Sequence, residues 1–295
     1  MIKSDAPILV TGAAGQLGKT FVRMLGDQAI GCDRAEFDLS SPDSILAAVR
    51  RYRPQIVINC GAYTAVDKAE TEPELCETIN AAAVAAFAQA CEEQDAVLVQ
   101  ISTDYVFGAQ PEVPTPWQES DATAPQGQYA KSKLHGEQAA AAAPKHLIVR
   151  TCGLYGGGPN HVSFVEKMLQ LGEQRTHLRV VDDQRCTPSL VDDVAAAVLQ
   201  LLESDSRGLF HVVNDGETTW NEFAQEIFRI VGYEVQVDPI STAEFNAPAP
   251  RPSYSVLDTA KFQTLGKGPL PHWKDALSRY LTTLRPILAE GLQTS

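Results

Sequence analysis

Short apolar runs alternate with helical patterns through the first half of this chain, and this alternation restricts the possible folds most. The runs are PILVTG, AIGCD, QIVINCGA, DAVLVQISTDYVF and KHLIVRT, and a helical pattern follows each of the first four. Continuous apolar strands are typical of sheets that are covered on both faces, where helices connect parallel strands. The sequence therefore predicts an α/β fold with a doubly wound parallel sheet.

A glycine-rich turn lies between the first predicted strand and the first predicted helix. In LVTGAAGQLGKTF, Gly12, Gly15 and Gly18 are spaced as G-x-x-G-x-x-G. In dinucleotide-binding loops, one glycine turns the chain, one admits the pyrophosphate and one allows close helix packing. The helix N-terminus adds free amides and a positive dipole. The turn therefore predicts a Rossmann-type sheet that binds a nicotinamide dinucleotide.

Charged residues near the second strand bear on the choice between NAD and NADP. Asp33 ends that strand about 20 residues after the glycines, where it would accept a hydrogen bond from a ribose hydroxyl. The adjacent Arg34 would instead pair with a 2′-phosphate. Because these two neighbours point in opposite directions, the choice between NAD and NADP stays open, with NADPH as the first expectation and NADH as possible. Asp38 would reach the adenine amine, or would cap the approach to the next helix.

The helical and strand patterns become less regular after residue 151. Helical segments such as SFVEKMLQLGEQ and TTWNEFAQEIFRIVG are mixed with the strands LRVVDD and GLFHVVN and with a proline-rich stretch. We predict an NAD(P)-binding Rossmann domain over residues 1–151, to which residues 178–213 return. Residues 152–177 and 214–295 would mainly form a smaller C-terminal substrate-binding lobe.

Composition excludes several classes of partner. The 295-residue chain carries a net charge of −13, which argues against general affinity for nucleic acid or anionic membranes. Its six cysteines are widely spaced, as in a reduced cytosolic protein. No apolar run is long enough to cross a bilayer, and MIKSDAPILVTG leaves no room for a secretory signal. We therefore expect a cytoplasmic protein with no nucleic-acid or membrane partner.

A tyrosine and a lysine one helical turn apart suggest proton transfer. In APQGQYAKSKLHGEQ, Tyr129 precedes Lys133 by four residues, and a nearby ammonium can lower a tyrosine pKa and hold a ribose. Ser102 and Thr103 end the fourth strand, where open α/β sheets bind ligands. A hydroxyl at that position could hydrogen-bond a substrate carbonyl.

Several stretches together resemble a known enzyme family. TGAAGQLG, INCGAYTAVDKAETEPE, STDYVF, YAKSKLHGE, VVDDQ and RPSYSVLDTAKF occur in the expected order over most of the chain. They resemble the dTDP-4-dehydrorhamnose reductases, which belong to the extended short-chain dehydrogenase/reductases. The resemblance implies reduction of a sugar C4 ketone by a nicotinamide, with a dTDP-4-keto-6-deoxysugar as substrate.

The resemblance also implies roles for individual residues. Tyr129 would donate the proton, Lys133 would tune it and bind ribose, and Thr103 would polarise the carbonyl. Asp104 and Gly153 would contact the sugar, and Arg251 would contact the nucleotide diphosphate or else fix the proline-rich loop by a salt bridge. The expected cofactor contacts are Gly15, Gln16 and Leu17 at the pyrophosphate, Asp38 and Leu39 at adenine, and Ala62, Tyr63 and Thr64 near nicotinamide.

Four positions refine or limit the resemblance. Tyr105 follows Asp104 where related dehydratases carry an acid, which favours reduction over dehydration. The family commonly has tryptophan at Gly153, so this chain could accept another 4-keto sugar. Arg185 could bind a diphosphate or face solvent. Some relatives bind magnesium through a glutamate at the position of Thr20, and we therefore predict no metal site.

Two alternatives to the leading function stay open. The chain could reduce another dTDP-4-keto-6-deoxysugar, or it could be a non-catalytic, NADP-binding regulatory subunit. The intact set of Thr103, Tyr129 and Lys133 argues against the regulatory role. The oligomeric state is also open, with a homodimer as one option.

Overall fold

A computed structural model describes residues 6–34, 36, 38–109, 114–158 and 163–291, with side chains up to residue 284. The predicted lobes also include residues 1–5, 35, 37, 110–113, 159–162 and 292–295, which lie outside the described part. The strands are β1 (Ile8–Thr11), β2 (Ala29–Cys32), β3 (Ile56–Asn59), β4 (Val97–Thr103), β5 (His146–Thr151), β6 (Leu154–Tyr155), β7 (His177–Val181), β8 (Arg185–Cys186), β9 (Ser189–Leu190), β10 (Gly208–His211), β11 (Thr218–Thr219) and β12 (Gln236–Ile240).

The helices cover both faces of the central sheet and build the smaller lobe. They are α1 (Gln16–Leu25), α2 (Pro42–Tyr52), α3 (Val66–Ala69), α4 (Pro73–Glu77), α5 (Ala83–Glu93), α6 (Gly127–Ala141), α7 (Phe164–Gln174), α8 (Val191–Glu203), α9 (Trp220–Val231), α10 (Thr242–Phe245), α11 (Ala260–Phe262) and α12 (Trp273–Gly291). A π-helical turn, Thr78–Ala82, joins α4 to α5. None of the described helices is both long and apolar enough to span a bilayer.

Six parallel strands form the central sheet in the order β10-β5-β4-β3-β1-β2. The chain moves outward from β1 to β2 and then crosses back to β3, so the winding direction reverses between β1 and β3. Ligands of such sheets bind outside the carboxyl ends of the strands, next to this reversal. The predicted Rossmann-type fold is therefore confirmed.

Apolar side chains cover this sheet on both faces. On one face, Phe21 of α1 and Val198 of α8 pack against Val10, and all three are fully buried. On the other face, α2, α5 and α6 pack against Leu9 and Leu98. Complete burial of one such side chain contributes about 1.5–3 kcal/mol. The doubly covered strands explain why their sequences are mainly apolar.

The smaller lobe is built around a separate core. Strands β7 and β12 pair in parallel, and α7, α9 and α12 contribute Met168, Phe223 and Leu277 to the cluster beside them. The sequence predicts that residues 178–213 return to the Rossmann domain, but only part of this range joins the central sheet, because β7 pairs with β12 instead. Helix α8 and strand β10 do join the large sheet.

Candidate active site

The glycine-rich turn after β1 is closely packed against the start of α1. Gly15 donates its N–H to the carbonyl of Gly12 over 2.8 Å, and a Cβ at Gly18 would lie 2.2 Å from that same oxygen. Only glycine fits at position 18, since real Cβ atoms do not approach so closely. Because the first N–H groups of a helix have no intrahelical partner, the turn offers donors to a pyrophosphate.

The next two residues of α1 differ in what they can offer a ligand. The Gln16 side chain donates to the carbonyl of Gly156 over 3.1 Å, which ties α1 to the chain after β6. Leu17 is 5% exposed and its side chain belongs to the core, so only its backbone can meet a pyrophosphate. Thr20 is buried and donates its hydroxyl to the carbonyl of Gln16 within the helix.

The charged residues after β2 lie at the surface near the end of that strand. Asp33 and Arg34 are both exposed. Asp38 accepts hydrogen bonds from the Ser40 hydroxyl at 2.6 Å and the Ser40 N–H at 2.8 Å, and these bonds lower the pKa of Asp38. This geometry matches the capping alternative for Asp38. Leu39 packs across the end of β3, where its Cδ1 would be 2.5 Å from a Cβ at Gly61.

The loop after β3 is held by a buried asparagine. The Asn80 amide accepts from the Tyr63 N–H at 2.9 Å and donates to the Tyr63 carbonyl at 3.1 Å. The Tyr63 hydroxyl donates to Glu72 at 2.7 Å, and burial together with this bond raises the pKa of Tyr63 to about 12. Ala62 is partly buried and Thr64 is exposed beside this fixed backbone. The predicted contacts of this loop with nicotinamide stay predictions.

Two polar side chains are buried at the carboxyl end of β4. Thr103 is 7% exposed, and its hydroxyl donates to Oδ1 of Asp104 at 3.1 Å and accepts from the Tyr105 N–H at 3.2 Å. Asp104 is 2% exposed, and its Oδ2 has no hydrogen bond of ordinary geometry among the described residues. An unpaired buried acceptor is costly, so this atom favours a ligand that brings a hydroxyl. Burial raises the pKa of Asp104, although the Ser255 hydroxyl and the Cys152 thiol lie close enough to the carboxyl group to offset part of that rise.

Helix α6 brings the tyrosine and the lysine to this strand end. The Tyr129 ring lies edge-on to Tyr105 with 5.8 Å between centroids, and the Thr103 hydroxyl is close enough to affect its ionisation. Lys133 is 5% exposed, and its Nζ donates to the Ile101 carbonyl at 2.6 Å. The structure thus brings together Thr103, Tyr129 and Lys133, the three predicted catalytic residues.

The ionisation of these two groups is governed mainly by burial. Burial raises the pKa of Tyr129, and the Thr103 hydroxyl offsets part of that rise. This direction is opposite to the expected lowering by Lys133, whose ammonium bonds to a backbone carbonyl. Burial lowers the pKa of Lys133 to about 8, and Glu137 acts against that shift. At neutral pH the phenol is protonated, which is the form that a proton donor requires.

Gly153 follows the neighbouring strand β5, and its conformation favours glycine. Its φ of +53° is in the left-handed region, and a Cβ there would lie 3.1 Å from Pro188 and 3.2 Å from the Trp220 ring. The preceding Cys152 contacts Asp104. The indole of Trp220 therefore lies next to Gly153.

The two candidate arginines both form ion pairs. Arg251 donates to Asp67 at 3.0 Å and to the Ala249 carbonyl at 2.9 Å. This is the salt bridge that was the second possible role of Arg251, and the nucleotide contact stays a prediction. Arg185 pairs with Glu217 at 3.1 Å near the surface.

A chain of buried hydrogen bonds links three central strands below the expected cofactor position. The Thr11 hydroxyl donates to Asn59 at 2.6 Å, and the Asn59 amide donates to Gln100 at 2.7 Å. Each of the three side chains is at most 2% exposed. Since buried polar networks fix a unique arrangement when all their members are bonded, this chain fixes the ends of β1 and β3 relative to the middle of β4.

Sequence and structural comparisons match this geometry to known proteins. The sequence model of the family described as the RmlD substrate binding domain matches residues 6–285. The chain belongs to this family. A dTDP-4-dehydrorhamnose reductase from Salmonella typhimurium is 39% identical over 94% of this chain and 97% of that protein. The resemblance that the sequence motifs carry is therefore confirmed.

Further relatives of the RmlD family are similar over nearly the whole chain. The crystal structure of a dTDP-4-dehydrorhamnose reductase from Bacillus anthracis, in complex with NADP, is 37% identical with a TM-score of 0.89. It covers 94% of this chain and 99% of that one. A probable dTDP-4,6-dihydroxy-2-methyloxan-3-one 4-ketoreductase from Streptomyces antibioticus is 38% identical over 91% of this chain and 92% of that protein.

Sequence reasoning did not identify two groups of buried polar residues in this RmlD-family chain. One is the chain of Thr11, Asn59 and Gln100, and the other is an ion pair of Glu137 with Arg150 at 2.7 Å. A signal for the ion pair was present, because an arginine inside the apolar strand KHLIVRT needs a buried partner. Four residues after Lys133, Glu137 lies on the same face of α6.

Proposed function

We propose that this chain reduces the C4 ketone of dTDP-4-dehydro-L-rhamnose to dTDP-L-rhamnose with NADPH. The observation that carries the proposal is the meeting of Thr103, Asp104 and Tyr129 at the end of β4, opposite a dinucleotide-type glycine turn. Relatives of the same family at 37–39% identity are dTDP-4-dehydrorhamnose reductases. The reaction belongs to nucleotide-sugar synthesis for polysaccharides.

The glycine turn fits a dinucleotide because a Cβ at Gly12 or Gly18 would clash with neighbouring backbone atoms, so the backbone itself faces the ligand. The amides of Gln16 and Leu17 would hold the pyrophosphate. Gly15, whose N–H already bonds to the Gly12 carbonyl at 2.8 Å, would let the pyrophosphate approach the backbone closely, and Gly12 and Gly18 would shape the turn. The bound dinucleotide supplies a hydride. Arg34 favours NADPH through its 2′-phosphate, while the adjacent Asp33 leaves NADH as a weaker alternative.

Proton delivery falls to Tyr129. Burial keeps its phenol protonated at neutral pH, so it can donate to the C4 oxygen as negative charge develops there. Thr103 stabilises the same oxygen by a hydrogen bond. Lys133, which is charged below about pH 8, stabilises the phenolate that remains and holds the ribose.

The sugar would be held by groups that can still accept or donate a hydrogen bond. Oδ2 of Asp104 would accept from a sugar hydroxyl, since this atom has no hydrogen bond of ordinary geometry among the described residues. Gly153 and Trp220 would border the sugar on another side, and Arg251 would meet the nucleotide diphosphate. A cytoplasmic location is part of the proposal, supported by six reduced cysteines.

A different 4-keto-6-deoxysugar is the second candidate substrate. It is favoured by Gly153, which places no side chain at the position where the family resemblance implies an aromatic wall, and whose φ of +53° disfavours one. The relative from Streptomyces antibioticus, a probable 4-ketoreductase of another dTDP sugar, supports the same possibility. Parallel assays with both classes of sugar separate the two candidates.

The proposal is tested by comparing wild type with Tyr129→Phe. We expect the variant to bind NADPH normally and to lose about 10²–10⁴-fold in kcat for NADPH oxidation, since it lacks the proton donor. Tyr105→Phe is the matched control, because its ring packs against Tyr129 while its hydroxyl has no assigned catalytic role. Unchanged turnover in Tyr129→Phe would refute the assignment of the donor.

A further inference from the structure

A buried ion pair joins helix α6 to the central sheet behind the candidate active site. Glu137 is 5% exposed and Arg150 is 3% exposed. The two side chains meet at two points, with Nη2 of Arg150 donating to Oε2 of Glu137 at 2.7 Å and Nε donating to Oε1 at 2.9 Å. This bidentate geometry fixes both side chains.

Glu137 also reaches the strand that carries Thr103. The Ser102 hydroxyl donates to Oε1 of Glu137 at 2.5 Å, and Ser102 directly precedes Thr103 in β4. In the sheet register, Ser102 lies opposite Arg150 of β5. One carboxylate therefore binds two neighbouring strands just below the residue that is expected to polarise the substrate carbonyl.

Lys133 lies one helical turn before Glu137 and anchors to the same strand. Its Nζ donates to the carbonyl of Ile101, and Glu137 is the leading charge that stabilises its ammonium. Two neighbouring residues of β4 thus bond to α6: the Ile101 carbonyl to Lys133, and the Ser102 hydroxyl to Glu137. The end of β4 and the Lys133 ammonium are positioned by the same helical face.

Stability alone does not explain this arrangement. Burying two charges removes them from water, and replacing such a pair by apolar residues is often neutral or stabilising. Removal of one partner, by contrast, is strongly destabilising because the other charge stays buried. A charged pair at this place is therefore better explained by what it does to the neighbouring Lys133.

We propose that Glu137 is a positioning residue, which together with Arg150 fixes the Lys133 ammonium and the Thr103 end of β4 for proton transfer. The inference rests on the proposed reductase function and deepens it. Glu137 does not touch the substrate in this role. It acts through Lys133 and Ser102.

The charged and titratable groups around this pair are few. Lys133 faces Cys60 after β3, Cys76 on α4 and Glu137 on α6, and Asp104 acts on Tyr129. Arg150 contacts His211 of β10, whose pKa is lowered by burial to about 3, so that this imidazole is neutral. His211 therefore adds no charge between pH 7 and pH 10, and the charge of the ion pair next to Lys133 is changed by substituting Glu137 or Arg150.

The experiment measures kcat against pH for wild type, Glu137→Gln and Arg150→Met. Glu137→Gln leaves a cation behind Lys133, so the alkaline fall in kcat should move to lower pH by on the order of one unit. Arg150→Met leaves an anion, so the same fall should move to higher pH. These directions are the same whether the alkaline fall in kcat reports the deprotonation of Lys133 or of Tyr129. A nearby positive charge lowers the pKa of both groups, and a nearby negative charge raises it. Shifts in the same direction, or no shift, would overturn the proposal.

Controls separate this electrostatic role from a structural one. Glu137→Asp keeps the charge, so its alkaline limb should stay near that of wild type even if kcat falls. If a single variant does not fold, the double variant Glu137→Gln with Arg150→Met replaces it. The alkaline fall in kcat of this double variant should occur at lower pH than in wild type, because Glu137 is closer to Lys133 than Arg150 is. A fall at the same pH as in wild type would overturn the proposal.

A second readout keeps the inference separate from the proposed function. The affinity for NADPH, measured by nucleotide fluorescence against pH, depends on the Lys133 ammonium and needs no sugar substrate. If wild type shows no turnover, the proposed function fails. The opposite shifts of Glu137→Gln and Arg150→Met in NADPH affinity would then still support the positioning role, and their absence would refute it.

Discussion

Replacement of Lys133 by methionine should change the pH dependence of stability in a predictable direction. The Lys133 side chain is 5% exposed and has one backbone acceptor, the Ile101 carbonyl at 2.6 Å. Burial lowers its pKa from 10.5 to about 8. The unfolded chain therefore binds more protons than the folded chain between these two pH values. Wild type must gain stability from this group as the pH rises through that window.

The magnitude follows from the same shift. A pKa that falls from 10.5 to about 8 corresponds to on the order of 3 kcal/mol of charge burial at neutral pH, since a tenfold change in proton affinity is 1.36 kcal/mol. At pH 10, where the folded lysine is neutral and the unfolded one is only partly charged, on the order of 1 kcal/mol remains. The free energy of unfolding of wild type, relative to Lys133→Met, should thus rise by on the order of 2 kcal/mol from pH 7 to pH 10.

Urea unfolding of both proteins at pH 7, 8, 9 and 10 measures this difference directly. Tyrosines and cysteines with raised pKa values occur in both proteins, so their contributions cancel in the comparison except where the Lys133 charge acts on the thiols of Cys60 and Cys76. A difference in free energy of unfolding that stays constant over this range would refute the account. It would show that the Lys133 ammonium is not destabilised by burial.

Three further substitutions test the proposed contacts. Arg34→Ala should weaken NADPH binding about tenfold and leave NADH binding unchanged, and equal losses would show that Arg34 does not discriminate. Gly18→Ala should lower dinucleotide affinity and destabilise the fold by about 1–3 kcal/mol, because its Cβ would lie 2.2 Å from the Gly12 carbonyl oxygen; an unchanged affinity by fluorescence titration would contradict the glycine-turn site. Arg251→Gln should raise KM for the nucleotide sugar more than Asp67→Asn does, and equal effects would assign Arg251 to the ion pair alone.

Local patterns carried most of the information about the fold. The central strands are mainly apolar, because helices cover both sheet faces. Gln100 of β4 and Arg150 of β5 are buried exceptions that have hydrogen-bond partners. The partner of β7 could not be predicted in this way, since periodicity identifies a strand but not the strand that pairs with it. A hint was present, because His177 and Arg179 of β7 are exposed at alternate positions, unlike residues of a doubly covered strand.

The candidate site likewise contains residues that sequence spacing predicts and residues that only tertiary packing brings together. Gly12, Gly15 and Gly18, and also Tyr129 and Lys133, are close in sequence, so their spacing alone predicts that they act together. Glu137 and Arg150 lie on different elements, and only tertiary packing brings them within 2.7 Å. The ionisation of Tyr129 also depends on burial, which spacing cannot supply.

The most direct test of the central claim follows hydride transfer to the sugar. The protein is incubated with dTDP-4-dehydro-L-rhamnose and NADPH that carries deuterium at nicotinamide C4, in separate experiments for each face, and the product is analysed by NMR. The account predicts dTDP-L-rhamnose with deuterium at sugar C4 from one of the two labelled cofactors. Absence of cofactor oxidation, or a product without deuterium at C4 from either label, would contradict it.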